Sequence, residues 1–404
     1  MSDAPVLIVG AGISGLVLAQ YLQSQGIRFE IFDRDSAIDA RTGGWGLTLH
    51  WSLPALRALL PPHLVERFPE TFVNKEASLR GDVGSFQFFD LQSGEALFSI
   101  PAEERIRVNR GRLRELLTSG IEVHWSKTLK GIESSSDSIT AQFEDGSSYN
   151  GCLLIAADGA RSRARQIMYP EHSQMNPLPV QLLGASTFYT AEELHGVHLI
   201  DPYIFQGSHP DSNIFFFFSF LDTPNNFDES SKDRYHVQLI VSWADEKGIT
   251  VPVQNADRIA LMKELTNNWA EPFRSLIQHL PSDAEARSLR LDDWLFDPRI
   301  SPAHPRAVLM GDSAHTMTMF RGEGANNAIV DVQDLVKSVD LKKACTSDAE
   351  TLSKSLDAFN KHVFARVEAS VLNSRRACLD AHDFTKIVAG SPLVAARELN
   401  VPTM

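Results

Sequence analysis

Four apolar residues, Val6-Leu7-Ile8-Val9, run directly into Gly10-Ala11-Gly12-Ile13-Ser14-Gly15 and then into Leu16-Val17-Leu18-Ala19-Gln20-Tyr21-Leu22. Few folds accept that junction. An unbroken apolar run between Pro5 and Gly10 reads as a buried parallel strand, and the later spacing of three and four residues reads as a helix. Gly10 permits the tight turn, Gly12 lets a pyrophosphate approach the backbone, and Gly15 lets helix and strand pack closely. The unpaired N–H groups of the helix N-terminus then face the phosphates. A second strand, Ile27 to Phe32, ends in Asp33, close to the ~20-residue offset expected of a ribose-binding acid.

The chain of 404 residues is long enough for two or three domains. Its 43% hydrophobic and 22% charged residues supply a large core. Its 38 basic and 51 acidic residues leave a net charge of −13, which argues against nucleic acid or an anionic membrane as the main partner. Cys152, Cys345 and Cys378 are far apart, with neither a disulfide framework nor metal-ligand spacing, so Cys152 reads as a buried core thiol and no metal is expected. No apolar run approaches the ~18 residues of a membrane helix, and no signal-like start is present. The expected compartment is the reducing cytoplasm.

Further along, Arg41-Thr42-Gly43-Gly44-Trp45-Gly46 reads as an unusual backbone or an ordinary loop. Ser52 is placed to cap a helix over 53–60 that Pro61-Pro62 stop. Residues 77–100 read as two antiparallel strands, 113–117 as a short helix, and 128–132 with 139–143 as a meander. The run Cys152 to Ala157 is expected to pair beside the opening strand. Short β-like runs fill 176–295, interrupted by one helix over 256–280. Within Phe215-Phe216-Phe217-Phe218, alternation puts Phe215 and Phe217 on one face, either lining a pocket or buried under covering helices. Residues 326–336 and 351–379 read as helices, the latter with a buried stripe.

Two further segments repeat the strand-to-loop junction: Asp158-Gly159-Ala160-Arg161-Ser162 with Arg165, and Gly311-Asp312-Ser313-Ala314-His315 followed by Arg321-Gly322-Glu323-Gly324-Ala325-Asn326-Asn327. Together with the opening loop, this ordered set resembles the single-component (group A) FAD-dependent aromatic hydroxylases, and most of all their fungal secondary-metabolism members. The resemblance implies an α/β fold: a doubly wound, glutathione-reductase-like FAD domain from 1–76, 101–176 and 296–350. A β-rich substrate domain would come from 77–100 and 177–295, and a helical segment from 351–404. It implies FAD contacts from the opening loop (Gly10, Gly12, Ile13, Ser14, Gly15), from Asp33 and Arg34, and from Arg41, Gly46 and Arg110. Asp158, Gly159 and Arg165 would serve flavin and nicotinamide, and Gly311 and Asp312 the ribitol and pyrophosphate. Gly322, Gly324, Ala325 and Asn326 would place helix N–H groups at the flavin's pyrimidine edge. His315 reads as a structural residue beside Asp312.

The family chemistry is reduction of FAD by NADH or NADPH, addition of O₂ at flavin C4a, and transfer of one oxygen atom from the hydroperoxide to an apolar or aromatic molecule. The substrate would be an aromatic, polyketide, alkaloid or terpenoid intermediate, and the protein a monomer or homodimer. His50, Arg80, Tyr203 and Tyr235 are candidates for favouring a phenolate, and Trp51, Phe215, Phe217, Trp243, Met319 and Phe320 for the pocket wall. Met319 departs from the family, which usually has proline three residues before Gly322. Epoxidation, Baeyer–Villiger insertion, and a flavoprotein turned to isomerisation or cyclisation therefore stay open, with a nicotinamide-only dehydrogenase behind them.

Overall fold

The computed structural model describes residues 4–40, 45–100, 104–224, 226 and 232–399. Its centre is a five-stranded parallel sheet in the order Ala307–Leu309, Leu153–Ala156, Val6–Val9, Phe29–Phe32 and Val123–His124. Every residue of Val6–Val9 and Leu153–Ala156 is buried, as strands covered on both faces must be. The helix Ile13–Ser24 packs on this sheet and against the helix Gly324–Ser338. A three-stranded meander, Leu129–Ser134, Ile139–Phe143 and Ser148–Gly151, flanks it. The fold is therefore the expected α/β one, with parallel Rossmann-like strands and a separate β-rich region.

That region is a seven-stranded sheet in the order Glu285–Ser288, Val180–Tyr189, Tyr235–Ala244, Phe215–Asp222, Ile204–Ser208, Gln87–Asp90 and Ala96–Ser99. Phe216 and Phe218 pack under the helices Asn255–Leu265 and Phe273–Gln278 with Trp243 and Trp269, while Phe215 and Phe217 face the other way. The helix Ala349–Asp380 crosses the molecule, burying Leu352, Leu356, Phe359, Val363 and Val367 along one stripe.

Three local expectations need correction. Cys152 is not a free core thiol; it is bonded to Cys345, 193 residues away, and only Cys378 is free among the described residues. Sequence spacing carries no information about that contact, because the sheet brings the two sites together only after folding. The expected helix over 256–280 is two helices, because Pro272 lacks an N–H and disfavours helix before it. Ser52 precedes the helix Leu53–Leu59 without capping it; its hydroxyl instead donates to Asn326 Oδ1 at 2.7 Å.

Where the long helix ends, buried His382 donates from Nδ1 to the Cys378 carbonyl (2.7 Å) and accepts at Nε2 from Ser242 Oγ (2.9 Å). Burial pushes its pKa down to about 4. The unfolded chain therefore binds a proton near pH 6.5 that the folded chain refuses, and stability falls as pH drops from about 6.5 to about 4. Denaturation midpoints across that window are expected to decline, and His382→Gln is expected to flatten the slope by up to ~1.4 kcal/mol per pH unit.

Candidate active site

Glycine is enforced at the opening turn. Gly10 has φ of +111°, and a Cβ there would lie 2.2 Å from the Ala157 carbonyl oxygen; one on Gly15 would lie 2.0 Å from the Gly10 carbonyl oxygen. The loop is braced from below. Asp33 accepts from Ala11 N (2.7 Å) and Asp35 N (2.9 Å), and Arg114 donates to Ala11 O at 2.8 Å while facing both Asp33 and Asp35. Asp33 therefore braces the turn, and Arg34 is exposed. Arg41 lies outside the described residues.

A cavity of about 950 Å³ is lined by Gly12, Ile13 and Ser14, by Gly46, Arg110, Gly159 and Asp312, by Gly322, Gly324 and Ala325, and by the apolar cluster Phe86, Ile100, Ile204 and Phe217. Gly12, Gly159 and Gly322 have no atom within 4 Å of where a Cβ would project, so three stretches of bare backbone face one trough. No side chain caps the helices Ile13–Ser24 or Gly324–Ser338, leaving first-turn N–H groups available to a ligand. An extended dinucleotide fits these walls: bare backbone for close approach, and two helix N-termini favouring negative charge. Among the described residues, no group of three or more His, Cys, Asp and Glu could hold a metal ion.

The other two glycine segments act partly as scaffolding. Asp158 accepts from Ser162 Oγ, Arg163 N and Ala164 N, so its carboxylate closes the turn. Arg165 is buried, stacks on Trp294 at 4.7 Å and donates to Thr316 Oγ1 and the Ser313 carbonyl, joining the second segment to the third. Gly311 N donates to Asp331 Oδ2 (2.7 Å), which also meets His315 Nε2 at 2.6 Å. Asp331 further pairs with Arg366, which holds Asp334 at 3.0 Å and Asn327 at 2.6 Å. Despite burial, His315 and Arg366 keep the Asp331 carboxyl below the usual range.

Asn326 ties the third segment to the strand Gly46–Leu49. Its Oδ1 accepts from His50 N (3.0 Å) and Ser52 Oγ, which fixes Nδ2 as the donor, shared among Thr48 O, Gly322 O and His50 Nε2. Burial, aided by Arg397, Arg105 and Arg321, lowers the His50 pKa to about 3, so the ring is neutral near pH 7. Because Nε2 accepts, the proton is on Nδ1, which has no partner.

Of the wall candidates, His50, Trp51, Phe217, Met319 and Phe320 line the cavity. The others lie elsewhere. Arg80 is exposed and paired with Glu76. Tyr203 sits behind the wall, its hydroxyl donating to Asp82 O at 2.6 Å. Tyr235 and Trp243 belong to the helix-covered face of the large sheet, and Phe215 packs behind Phe320 at 5.0 Å. Trp45, Arg105, Arg107, Gln238, Arg321 and Arg397 also line the cavity, as do Glu104, which pairs with Arg57, and exposed Glu398; sequence reasoning missed them. A signal existed for two: Arg105 and Arg107 alternate with Ile106 and Val108 at the start of the strand Ile106–Asn109, which places Arg107 on the face opposite those two apolar residues. Gly46 is small because a Cβ there would lie 2.5 Å from the Arg107 guanidinium. Gly46→Ala is expected to lower stability by ~1–3 kcal/mol in chemical denaturation as that group is displaced.

The comparisons agree with this geometry. A model of the NAD(P)-binding Rossmann-like domain matches residues 8–67. A probable FAD-dependent monooxygenase of Arthroderma benhamiae is 41% identical over 97% of this chain and 95% of its own length. The FAD-dependent monooxygenase dbaB of Emericella nidulans is 38% identical over 83% of this chain and 86% of its own. Two solved structures share the fold, each with a TM-score of 0.72. One is Klebsiella pneumoniae HpxO complexed with FAD and uric acid, at 19% identity over 95% of this chain and 91% of that one. The other is 2,6-dihydroxypyridine-3-hydroxylase from Arthrobacter nicotinovorans, at 18% identity over 100% and 99%. A dinucleotide trough opening into an apolar chamber, in a chain this similar along nearly all its length, makes the protein a member of the FAD-dependent monooxygenases.

Proposed function

We propose that this enzyme transfers one atom of O₂ to an aromatic small molecule held beyond Gly322, with NADH or NADPH as the reductant. The observation that carries the reading is that one cavity is lined both by the bare backbone of Gly12, Gly159 and Gly322 and by Phe86, Ile100, Ile204 and Phe217. Bound FAD supplies the redox and oxygen-activating chemistry. The chain supplies binding, charge and shelter. First-turn N–H groups after Gly12 receive the pyrophosphate, and those of Gly324, Ala325 and Asn326 favour negative charge on the reduced ring. Neutral His50 adds no charge to the wall, and the phenylalanines keep water from the reacting atoms.

Incubation with NADPH, ¹⁸O₂ and candidate aromatic compounds tests the reading. One labelled oxygen in the product is expected, with NADPH oxidation stimulated by the substrate. A yellow protein that never couples NADH or NADPH oxidation to any product would point to a fold turned to isomerisation or cyclisation. Product structure separates ring hydroxylation from epoxidation or Baeyer–Villiger insertion, which Met319 on the wall keeps in play.

A further inference from the structure

The chamber holds an unusual set of unmet polar atoms. Trp51 Nε1, His50 Nδ1, Arg105 Nη2, Arg107 Nε and Gln238 Oε1 are buried on its wall without a hydrogen-bond partner. Four of these five are donors. Arg105, just before the strand Ile106–Asn109, and Arg107 within it are 9% and 5% exposed, both line the cavity, and meet no carboxylate within salt-bridge distance among the described residues. The carboxylate nearest in influence, Asp201, is occupied by the N–H groups of Ser85, Phe86, Tyr203 and Ile204. Glu323 is spent on Arg321. Arg107 keeps only neutral partners, donating to Thr48 Oγ1 (2.8 Å) and Ser219 Oγ (2.7 Å), and Ser219 stands directly opposite Gln238 in the sheet. The Phe217 ring lies 5.7 Å from its guanidinium, and Phe86 lies 5.6 Å from that of Arg105.

Two neighbouring buried guanidiniums with no ion-pair partner are costly unless an anion joins them. We infer that this end of the chamber binds an aromatic substrate through an ionised acidic oxygen, phenolate or carboxylate, held by Arg105 and Arg107, with Gln238 taking a neighbouring donor of the same molecule. The inference rests on the chamber being the substrate site proposed above, and it narrows the substrate class. A neutral terpenoid would leave both guanidiniums unmet, and a cationic alkaloid would be repelled. Burial lowers Arg107 to about 9, which still leaves it charged at neutral pH and ready to pair. A bound phenol would give up its proton to solvent at a pH below its own ionisation point, since two adjacent cations favour the charged form.

Calorimetric titration of the oxidised, FAD-loaded protein without nicotinamide tests this apart from turnover. Three probes are used: 2,4-dihydroxyacetophenone (a phenol), 2,4-dimethoxybenzoate (a carboxylate) and the neutral 2,4-dimethoxyacetophenone. At least one acidic probe is expected to bind about tenfold or more tightly than the neutral one. Titrating the phenol below its pKa in two buffers of different ionisation enthalpy is expected to show release of one proton per molecule bound. Which acidic probe wins identifies phenolate or carboxylate. Arg105→Gln and Arg107→Gln should each erase most of the preference, and Arg107→Lys should restore part of it, with flavin content and melting temperature as checks of folding. If Arg107→Gln fails those checks, Arg105→Gln carries the comparison. Equal binding of neutral and acidic probes, no binding of any probe, or a preference surviving both glutamine variants would overturn the inference. Absence of ¹⁸O incorporation with the acid preference intact would overturn only the proposed reaction.

Discussion

Gly15→Ala protein is expected to purify nearly colourless and poorly folded, while Gly12→Ala is expected to fold normally and fail only to keep its flavin. The two sites are three residues apart in one loop, and their surroundings are opposite. A methyl on Gly15 would sit 2.0 Å from the Gly10 carbonyl oxygen, which is backbone and is fixed by the turn; strand and helix must separate. The loss should reach ~3 kcal/mol or more. A methyl on Gly12 meets no protein atom within 4 Å, at a cavity-lining position where, on the proposed reading, the pyrophosphate would come close. FAD affinity should fall about 10–100-fold there, with the melting temperature of the flavin-free protein unchanged. Flavin absorbance per protein and apoprotein melting separate the two outcomes. Equal melting of both apoproteins would show that the packing at Gly15 is not what the loop depends on.

Arg366→Met is expected to have the largest effect of any substitution outside the cleft. Arg366 is 2% exposed and joins Asp331, Asp334 and Asn327. Its removal leaves two buried carboxylates without their shared cation, which typically costs ~3–5 kcal/mol. Asp331 would then hold Gly311 N less firmly, so flavin retention should fall together with stability. The pH dependence identifies the cause. Without the guanidinium the folded-state carboxyls titrate higher than in the unfolded chain, so the folded protein binds more protons and the deficit against wild type should shrink as pH falls from 7 toward 5. A deficit constant over that range would mean that lost packing, not stranded charge, dominates.

The strand-loop-helix opening was legible in the sequence because each local requirement there points the same way, and strict alternation exposed Ile139–Phe143 equally well. The substrate chamber was less legible. Arg105 and Arg107 were readable as charges at the start of a buried strand, but Arg321 and Arg397 reach the same wall from a loop and from the end of the chain. No period links them. Tyr203, Tyr235 and Trp243 were attractive by chemical type alone, yet Tyr235 and Trp243 sit on the helix-covered face of the sheet and the Tyr203 hydroxyl is tied to the Asp82 carbonyl. The pairing of Cys152 with Cys345 is likewise a property of the assembled fold.

The central sheet is stitched from strands that leave the ribosome far apart in time. Val6–Val9 emerges first, yet its neighbour Leu153–Ala156 follows roughly 150 residues later and the outermost strand, Ala307–Leu309, about 300 later. At ~5–20 residues per second, the opening glycine loop waits on the order of 15–60 s before the sheet beneath it is complete. Capture of the dinucleotide thus waits on chain made about 300 residues after the loop that opens its site.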